Sequence, residues 1–557
     1  MTTLDCPLQS RCPGCPLGSR PYDEGLQLKG HVVGGALAAY PELAASVAPP
    51  RPAAPLHAYR VRAKLVSKGT ALGLFERGSH RVLDVAGCRV LSANVAAAAD
   101  AIRRLLPLPI YGADIRETSQ GVLLTLLTEE AGAGTVLEQA AKSLVASGHV
   151  LGVALSHRRR GDVRLLAGAP EVVVGPSEAR HALSAEAPYG YAAHGGFVQA
   201  HSGQASHVYT EIARGLRERL GAITKPRVLE LFAGNGSLAL ALAAQGAQVT
   251  AVESFAPAIG LAERAAREQG LRLSAVTSDA TRFVADLAPG AFDAIVVNPP
   301  RRGLDVALRE ALGRAAPRAF SYVSCNPHTL ARDASHLARL GLQVSRAEPL
   351  DMIPWSDAVE VLCWFELAPA PPPRILFEDE AFVAVEKPPY ESVASLVRRL
   401  PGLVGTRALD AWGPDVSGVC WLAKGEQVAS PGERELTLAC RGNLRKQGTV
   451  TRRASATGSR YRKQRELGRH SVVSVFVADG DESEVRRDFA TIRHPILGSQ
   501  RDGDAETNAF FQHRHGLDRA FLHVTRSQLR VAPGTVLEAR SELSPDLGRV
   551  LASVDSD

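Results

Sequence analysis

Two side chains able to do covalent chemistry stand at the ends of strand-like segments. Cys325 closes FSYVSC and is followed by Asn326 and Pro327, while Glu360 opens the apolar run EVLCWFEL. A thiol at a strand's carboxyl edge can act as a nucleophile. Taken singly, each has a plainer reading: cysteine ranks among the most buried residue types, and a glutamate at a strand end is usually a solvated charge. A second group surrounds the turn in Leu229 to Ala241, LELFAGNGSLALA. There a strand feeds a glycine turn and then a helix, so Gly234 and Gly236 let the backbone approach a ligand at the strand's carboxyl end. Glu253 ends the next strand, AVES, where a carboxylate can accept hydrogen bonds from ribose hydroxyls. GNGSLA also fits a dinucleotide fingerprint. The rigid elbow Asn298-Pro299-Pro300 at the end of FDAIVVN, for which a nicotinamide fold has no need, favours S-adenosylmethionine instead. A third group is Cys6, Cys12 and Cys15 with Cys88 far downstream. Four thiolates suit an iron-sulfur cluster or tetrahedral zinc, and spacing does not separate the two.

The elements that must position these groups are spread over 557 residues, enough for three or four domains. With 45% hydrophobic and 22% charged residues, disorder, collagen and coiled coil are excluded as descriptions of the whole. A net charge of +6 permits a polyanionic partner without requiring one. Eight unevenly spaced cysteines are too few for a disulfide scaffold and predict a reducing compartment. MTTLDCPLQSRC lacks the basic start and apolar stretch of a secretory signal. The apolar helix candidate at Leu238 to Ala244 stops at Gln245 and Gly246, far short of a membrane span, so the expected location is cytoplasmic, without membrane association.

The Pro-rich run APPRPAAP at 48–55 reads as a linker. From His57 to Cys88, alternation around Gly turns predicts short antiparallel strands, and a helix follows near Thr135 to Ala146 between further strands. From about Val208 strands alternate with amphipathic helices, predicting a parallel α/β sheet. LAPAPPPR then separates a last unit of mixed α+β type that begins at Arg374. The expected domains are 1–95 (cysteine group and β-rich segment), 96–190 (α+β, RNA-facing), 191–368 (α/β) and 374–557 (α+β).

Taken together, GGFVQAH, LELFAGNGSLAL, FDAIVVNPPRRGL, SCNPHTLARD and DMIPWSDAVEV, in this order across about 190–367, resemble the uracil-C5 RNA methyltransferases, which form 5-methyluridine in ribosomal or transfer RNA. The resemblance implies a Rossmann-like class I methyltransferase domain, with Cys325 as nucleophile and Glu360 as general base. It also implies that Gln199, Phe232, Ser237, Glu253, Asp279 and Asn298 line the cofactor site beside Gly234 and Gly236. Asn298 stands where the family usually has Asp, and His201 where it usually has Asn. Such a thiolate would add to uracil C6, making C5 a nucleophile for the sulfonium methyl, and a base would then remove the C5 proton. The target uridine must leave its stack, which favours a loop or unpaired segment. A subset of the family carries a 4Fe-4S cluster on a three-then-one cysteine set, which favours the cluster over zinc for Cys6, Cys12, Cys15 and Cys88. That subset acts on ribosomal more than bacterial transfer RNA, so 23S rRNA is preferred to tRNA as partner. The sequence does not set the oligomeric state.

Residues 374–535 resemble the large pseudouridine synthase family through RILFEDEAFVAVEKPPY, SGVCWLAK, SRYRKQ, ESEVRRDFATIRHPILG and RAFLHVTRSQL. That family's nucleophilic Asp lies four residues before the Ser-Gly pair, and here the position is Gly413. Asp410 could serve only with a three-residue insertion, and Asp415 matches a noncatalytic neighbour. Tyr461 and Arg486 match the base-stacking Tyr and the pocket Arg. The basic run from Arg441 to Arg469, which includes Arg452 and Arg453, suits phosphate contacts. The alternatives to a methyltransferase alone are therefore a bifunctional methyltransferase and pseudouridine synthase, and a non-catalytic RNA-binding protein.

Overall fold

The computed structural model describes residues 2–40, 42–43, 46–129, 134–158, 166, 169–400, 405–450, 459–478 and 482–556. An eight-stranded sheet carries Cys325 and Glu360 at the ends of its strands. Its order is Ser46–Val47, Leu342–Leu350, Glu360–Leu367, Ala319–Ser324, Ala294–Val297, Arg227–Leu231, Gln248–Glu253, Leu273–Thr277. These strands are almost wholly apolar and are covered on both faces by helices, as buried parallel strands must be. The sheet is not all parallel, however. Glu360–Leu367 runs antiparallel to both neighbours, because it returns directly from Leu342–Leu350 as a hairpin instead of crossing over through a helix. The reversal matters for the site, since the amino end of this strand lies where the others present their carboxyl ends.

Ahead of it, a seven-stranded sheet spans Arg62 to Val174, with helices Ala93–Arg103 and Gly134–Ala146 packed on it. This sheet runs through the division expected between 95 and 96, so the residues on either side share one core. Leu8 and Cys12 also pack on this core, and Arg77 N donates to Arg11 O at 3.0 Å, whereas the chain beyond Pro21 goes elsewhere. Helix Tyr22–Ala38 packs on helix Pro327–Arg339, and Ser46–Val47 adds to the catalytic sheet's edge. The run expected to be a linker continues along that edge, with Ala48 N donating to Ala347 O and Arg51 N to Pro349 O, both at 2.8 Å. Its prolines are compatible with an edge strand, where the missing N–H faces outward.

The last unit is a ten-stranded, mainly antiparallel sheet from Ile375 to Arg540, with helices Glu482–Thr491, Ala505–His515 and Pro545–Asp555. It meets the catalytic unit through an ionic contact. Arg332 faces Asp518 at 3.5 Å, Arg339 donates to Pro389 O at 2.9 Å, and Tyr390 donates to Asp518. Among the described residues no helix is long and apolar enough to cross a membrane.

Candidate active site

Cys325 follows the strand Ala319–Ser324, and Asn326 caps helix Pro327–Arg339 by accepting from His328 N at 3.1 Å and Thr329 N at 3.4 Å. The cap turns the chain sharply and leaves the thiol half-buried at the sheet edge rather than in the core. Ser324 pairs with Val361 in antiparallel register, so Cys325 and Glu360, one step further on each strand, face each other. Cys363, Cys420 and Cys440, by contrast, are fully buried, as their apolar contexts suggest.

The Asn298-Pro299-Pro300 elbow is tied to the same helix. Arg301 O accepts from Asn326 Nδ2 at 3.3 Å and from Thr329 Oγ1 at 3.1 Å. Arg302 O accepts from Arg332 at 2.8 Å, and Leu304 N donates to Asp333 at 2.7 Å. The elbow thereby carries Arg301 to the reactive pair. Burial pushes the Cys325 thiol up, the Glu360 carboxylate pushes it further, and Arg301 pulls it back by charge and hydrogen bonding. Burial likewise pushes Glu360 up to about 7, and Arg301 opposes this. A carboxyl with that affinity for protons is suited to exchanging them near neutrality. Arg301 is not among the site residues expected from the sequence. Its position just after the elbow was the available signal, since an elbow at a strand's carboxyl edge must aim its next side chain somewhere near the ligand.

The glycine turn takes the form its residues require. Phe232, Gly234 and Gly236 all have positive φ, at 61°, 57° and 71°. No atom lies within 4 Å of where a Cβ on Gly234 would stand, leaving open space above the turn. Glu253 accepts from Gly234 N at 3.1 Å and from Phe255 N at 2.9 Å, which fixes its carboxylate at the end of the adjoining strand. Ser237 opens helix Ser237–Ala244 and donates to Asn235 at 2.9 Å. Asp279 caps helix Ala280–Ala285 one strand further on. Asn298 N donates to Leu231 O at 3.4 Å, beside Phe232. Gln199 lies in the loop leading to His201 and helix Ser202–Leu220. An open cradle of backbone bordered by a fixed carboxylate fits a nucleoside cofactor. His201 is buried, caps its helix through Gln204 N and stacks on Tyr59 with ring centroids 4.9 Å apart. It thus performs the capping for which Asn is also well suited.

Cys6, Cys12, Cys15 and Cys88 are all half-buried and come into one neighbourhood. Burial, followed by repulsion from Cys88 and Cys12, pushes Cys15 up to about 12. Cys12 is raised by burial and by Cys88 and Cys6, while Gly14 N donates to its sulfur at 3.4 Å. Among the described residues no three His, Cys, Asp or Glu side chains converge on a single-ion site.

In the last unit, Asp410 is buried. It accepts from Arg434 at 2.6 Å and from Trp421 N at 2.8 Å, so it is spent as a structural anchor. Gly413 N donates to Glu482 at 3.0 Å, and Asp415 holds Arg486 at 3.0 Å. Tyr461 is buried with its ring centroid 6.1 Å from that of Phe489. Several cations of the basic run are paired within the unit, Arg460 with Glu433 and Lys463 with Glu466, both at 2.9 Å; Arg452 and Arg453 lie outside the described residues.

The strand order and the glycine turn are those of a class I methyltransferase fold, with the thiol and the carboxylate facing each other at its carboxyl edge. Residues 207–367 match the family model described as tRNA (Uracil-5-)-methyltransferase. It is 27% identical over 388 residues to an uncharacterized RNA methyltransferase of Halalkalibacterium halodurans, covering 64% of this chain and 81% of that one. It is 39% identical over 158 residues to the 23S rRNA (uracil(747)-C(5))-methyltransferase of Shewanella oneidensis, covering 28% of this chain and 40% of that one. The Pyrococcus abyssi tRNA (uracil-54, C5)-methyltransferase, solved with S-adenosyl-L-homocysteine, shares the fold, with a TM-score of 0.52 and 21% identity over 64% of this chain and 86% of that one.

Proposed function

We propose that the protein methylates C5 of an unpaired uridine in 23S rRNA, in the cytoplasm, through a covalent adduct between Cys325 and uracil C6. The observation that carries this reading is the reversed strand Glu360–Leu367, which sets Glu360 against Cys325 with Arg301 facing both. The Cys325 thiolate, stabilised by Arg301, adds to C6, and the electron pair moves through C5 to the O4 enolate. S-adenosylmethionine, when bound over Gly234 and Gly236, supplies the electrophilic methyl that C5 captures. Glu360 then takes the C5 proton, the C6–S bond breaks, and the thiolate returns. Support for 23S rRNA comes from the Shewanella relative, a 23S rRNA (uracil(747)-C(5))-methyltransferase.

Cys325→Ala should abolish both methylation and the RNA adduct, whereas Glu360→Gln should let the methylated adduct accumulate on denaturing gels. Methylation by Cys325→Ala would sink the assignment. Cys6, Cys12, Cys15 and Cys88 would hold a 4Fe-4S cluster with a structural part, a reading supported by four half-buried cysteines that share one neighbourhood. Iron and sulfide analysis of anaerobically purified protein tests this; stoichiometric zinc would reject it. The last unit is proposed to grip RNA without isomerising uridine, because Gly413 replaces the nucleophile and Asp410 is locked on Arg434. RNA tritiated at uracil C5 should release label only when S-adenosylmethionine is present. Release without it would establish a second activity.

A further inference from the structure

The loop that delivers Glu360 is held from outside the catalytic unit. Three consecutive carbonyls in it accept hydrogen bonds from three separate N-terminal residues: Ile353 O from Lys29 at 3.0 Å, Pro354 O from Tyr59 at 3.1 Å, and Trp355 O from Leu17 N at 2.9 Å. The Trp355 indole in turn donates to Leu56 O at 2.9 Å and lies edge-on to Tyr22, with centroids 5.3 Å apart. Trp355 is 2% exposed and has φ of +69°, a conformation that is strained for a bulky residue and persists only where its surroundings enforce it. Those surroundings are the cysteine segment. Leu4, Tyr59 and Val90 pack on Trp355 together with Cys6, Cys15 and Cys88, and Leu17 lies two residues beyond Cys15, whose carbonyl accepts from Gly18 N at 3.0 Å. Between Trp355 and Glu360 the chain makes one tight turn, with Ser356 Oγ donating to Ile353 O at 2.7 Å and accepting from Ala358 N at 3.2 Å. A displacement at Trp355 therefore has little slack in which to dissipate before it reaches Glu360.

We propose that Trp355 and Tyr59 are positioning residues, through which the N-terminal cysteine segment latches Glu360 in register with Cys325 and so sets the rate at which the adduct is resolved. This rests on the roles of Cys325 and Glu360 proposed above. Addition to C6 and capture of the methyl need the thiol and the glycine turn, neither of which the latch touches; Tyr59 meets the Gln199 loop only through its ring on His201, which Tyr59→Phe keeps. Only removal of the C5 proton needs Glu360 in place. Loosening the latch should accordingly slow resolution while leaving formation alone, a signature that general destabilisation does not give.

The test uses the full chain and two mild variants, Tyr59→Phe, which removes the bond to Pro354 O, and Trp355→Phe, which removes the bond to Leu56 O. Adduct formation is read with RNA carrying 5-fluorouridine, whose C5–F bond blocks resolution. Resolution is read as decay of the adduct on ordinary RNA after rapid mixing. We expect unchanged S-adenosylmethionine affinity and unchanged formation, with decay slowed about three- to tenfold, the range set by the loss of one hydrogen bond. Cys15→Ser should show the same split. Decay at the wild-type rate in both aromatic variants would overturn the latch, as would formation and decay falling together. Absence of any adduct in the wild-type protein would instead overturn the covalent reading beneath it.

Discussion

The pH dependence of adduct resolution follows directly from the setting of Glu360. As a base, Glu360 acts in its ionised form, and burial has pushed its carboxyl up to about 7 against the pull of Arg301. The ionised fraction is then about 0.09 at pH 6 and about 0.91 at pH 8, so adduct decay should accelerate about tenfold across that interval and level off above it. The thiol complicates steady-state rates, because it too is raised and reacts as thiolate. The assay must therefore start from preformed adduct, in which sulfur is already a thioether and does not titrate. Adduct formed at pH 6 is jumped to a series of pH values, and the loss of protein-bound RNA is timed on denaturing gels. Arg301→Ala supplies the second arm. Removing the guanidinium that holds Glu360 down should move the midpoint to higher pH, and the same change should raise the thiol, slowing addition at neutral pH. Decay that is flat between pH 6 and 8, or a midpoint that falls in Arg301→Ala, would refute Glu360 as the base in this electrostatic setting.

Three further perturbations test the frame around the site. Glu230 is buried in the central strand and pushed up to about 8 by burial, with Glu253 adding to the rise, against an ordinary value of 4.5. Between those values the folded protein keeps a proton that the unfolded chain releases, so stability falls as pH rises, by about 4–5 kcal/mol at pH 8. Glu230→Gln should flatten that slope in thermal melts from pH 5 to 8, and parallel curves for the two proteins would contradict the assignment. Lys29 and Asp351 form a pair at 2.5 Å with side chains only 3% and 1% exposed. Lys29→Met strands the carboxylate and should cost about 3–5 kcal/mol in urea unfolding, with part recovered when Asp351→Asn is added; equal stability of both variants would argue against coupling. A Cβ on Gly236 would sit 2.4 Å from the Ala262 Cβ at φ of +71°. Gly236→Ala should therefore cost about 1–3 kcal/mol and weaken S-adenosylmethionine binding, as read by melting and by titration with the cofactor.

What the sequence disclosed, and what it withheld, divides along a physical line. Segments punctuated by Gly and Pro were legible: the turn at Gly234 and Gly236, the elbow at Asn298 and the helix starting at Pro327 each carry their own local reason for ending where they do. Strand direction was not, because the apolar run from Glu360 to Leu367 would read the same whichever way it paired. Its reversal is set by the short Asp351–Val359 connection, which cannot hold a crossover helix. The paired edge at Ser46–Val47 and the sheet that runs through residue 95 were hidden for the same reason, since pairing partners are tertiary facts. Asp410 shows the converse. A carboxylate near the expected place looks chemically available in a sequence, and only its contact with Arg434 reveals that it is already engaged. The residues that remain free to react, Cys325 and Glu360, are those whose neighbours hold them by the backbone and leave their reactive atoms facing Arg301. Placement of this kind comes from elements far apart in the chain, and the N-terminal segment around Leu17 and Tyr59, which bonds the Pro354 and Trp355 carbonyls, is one of them.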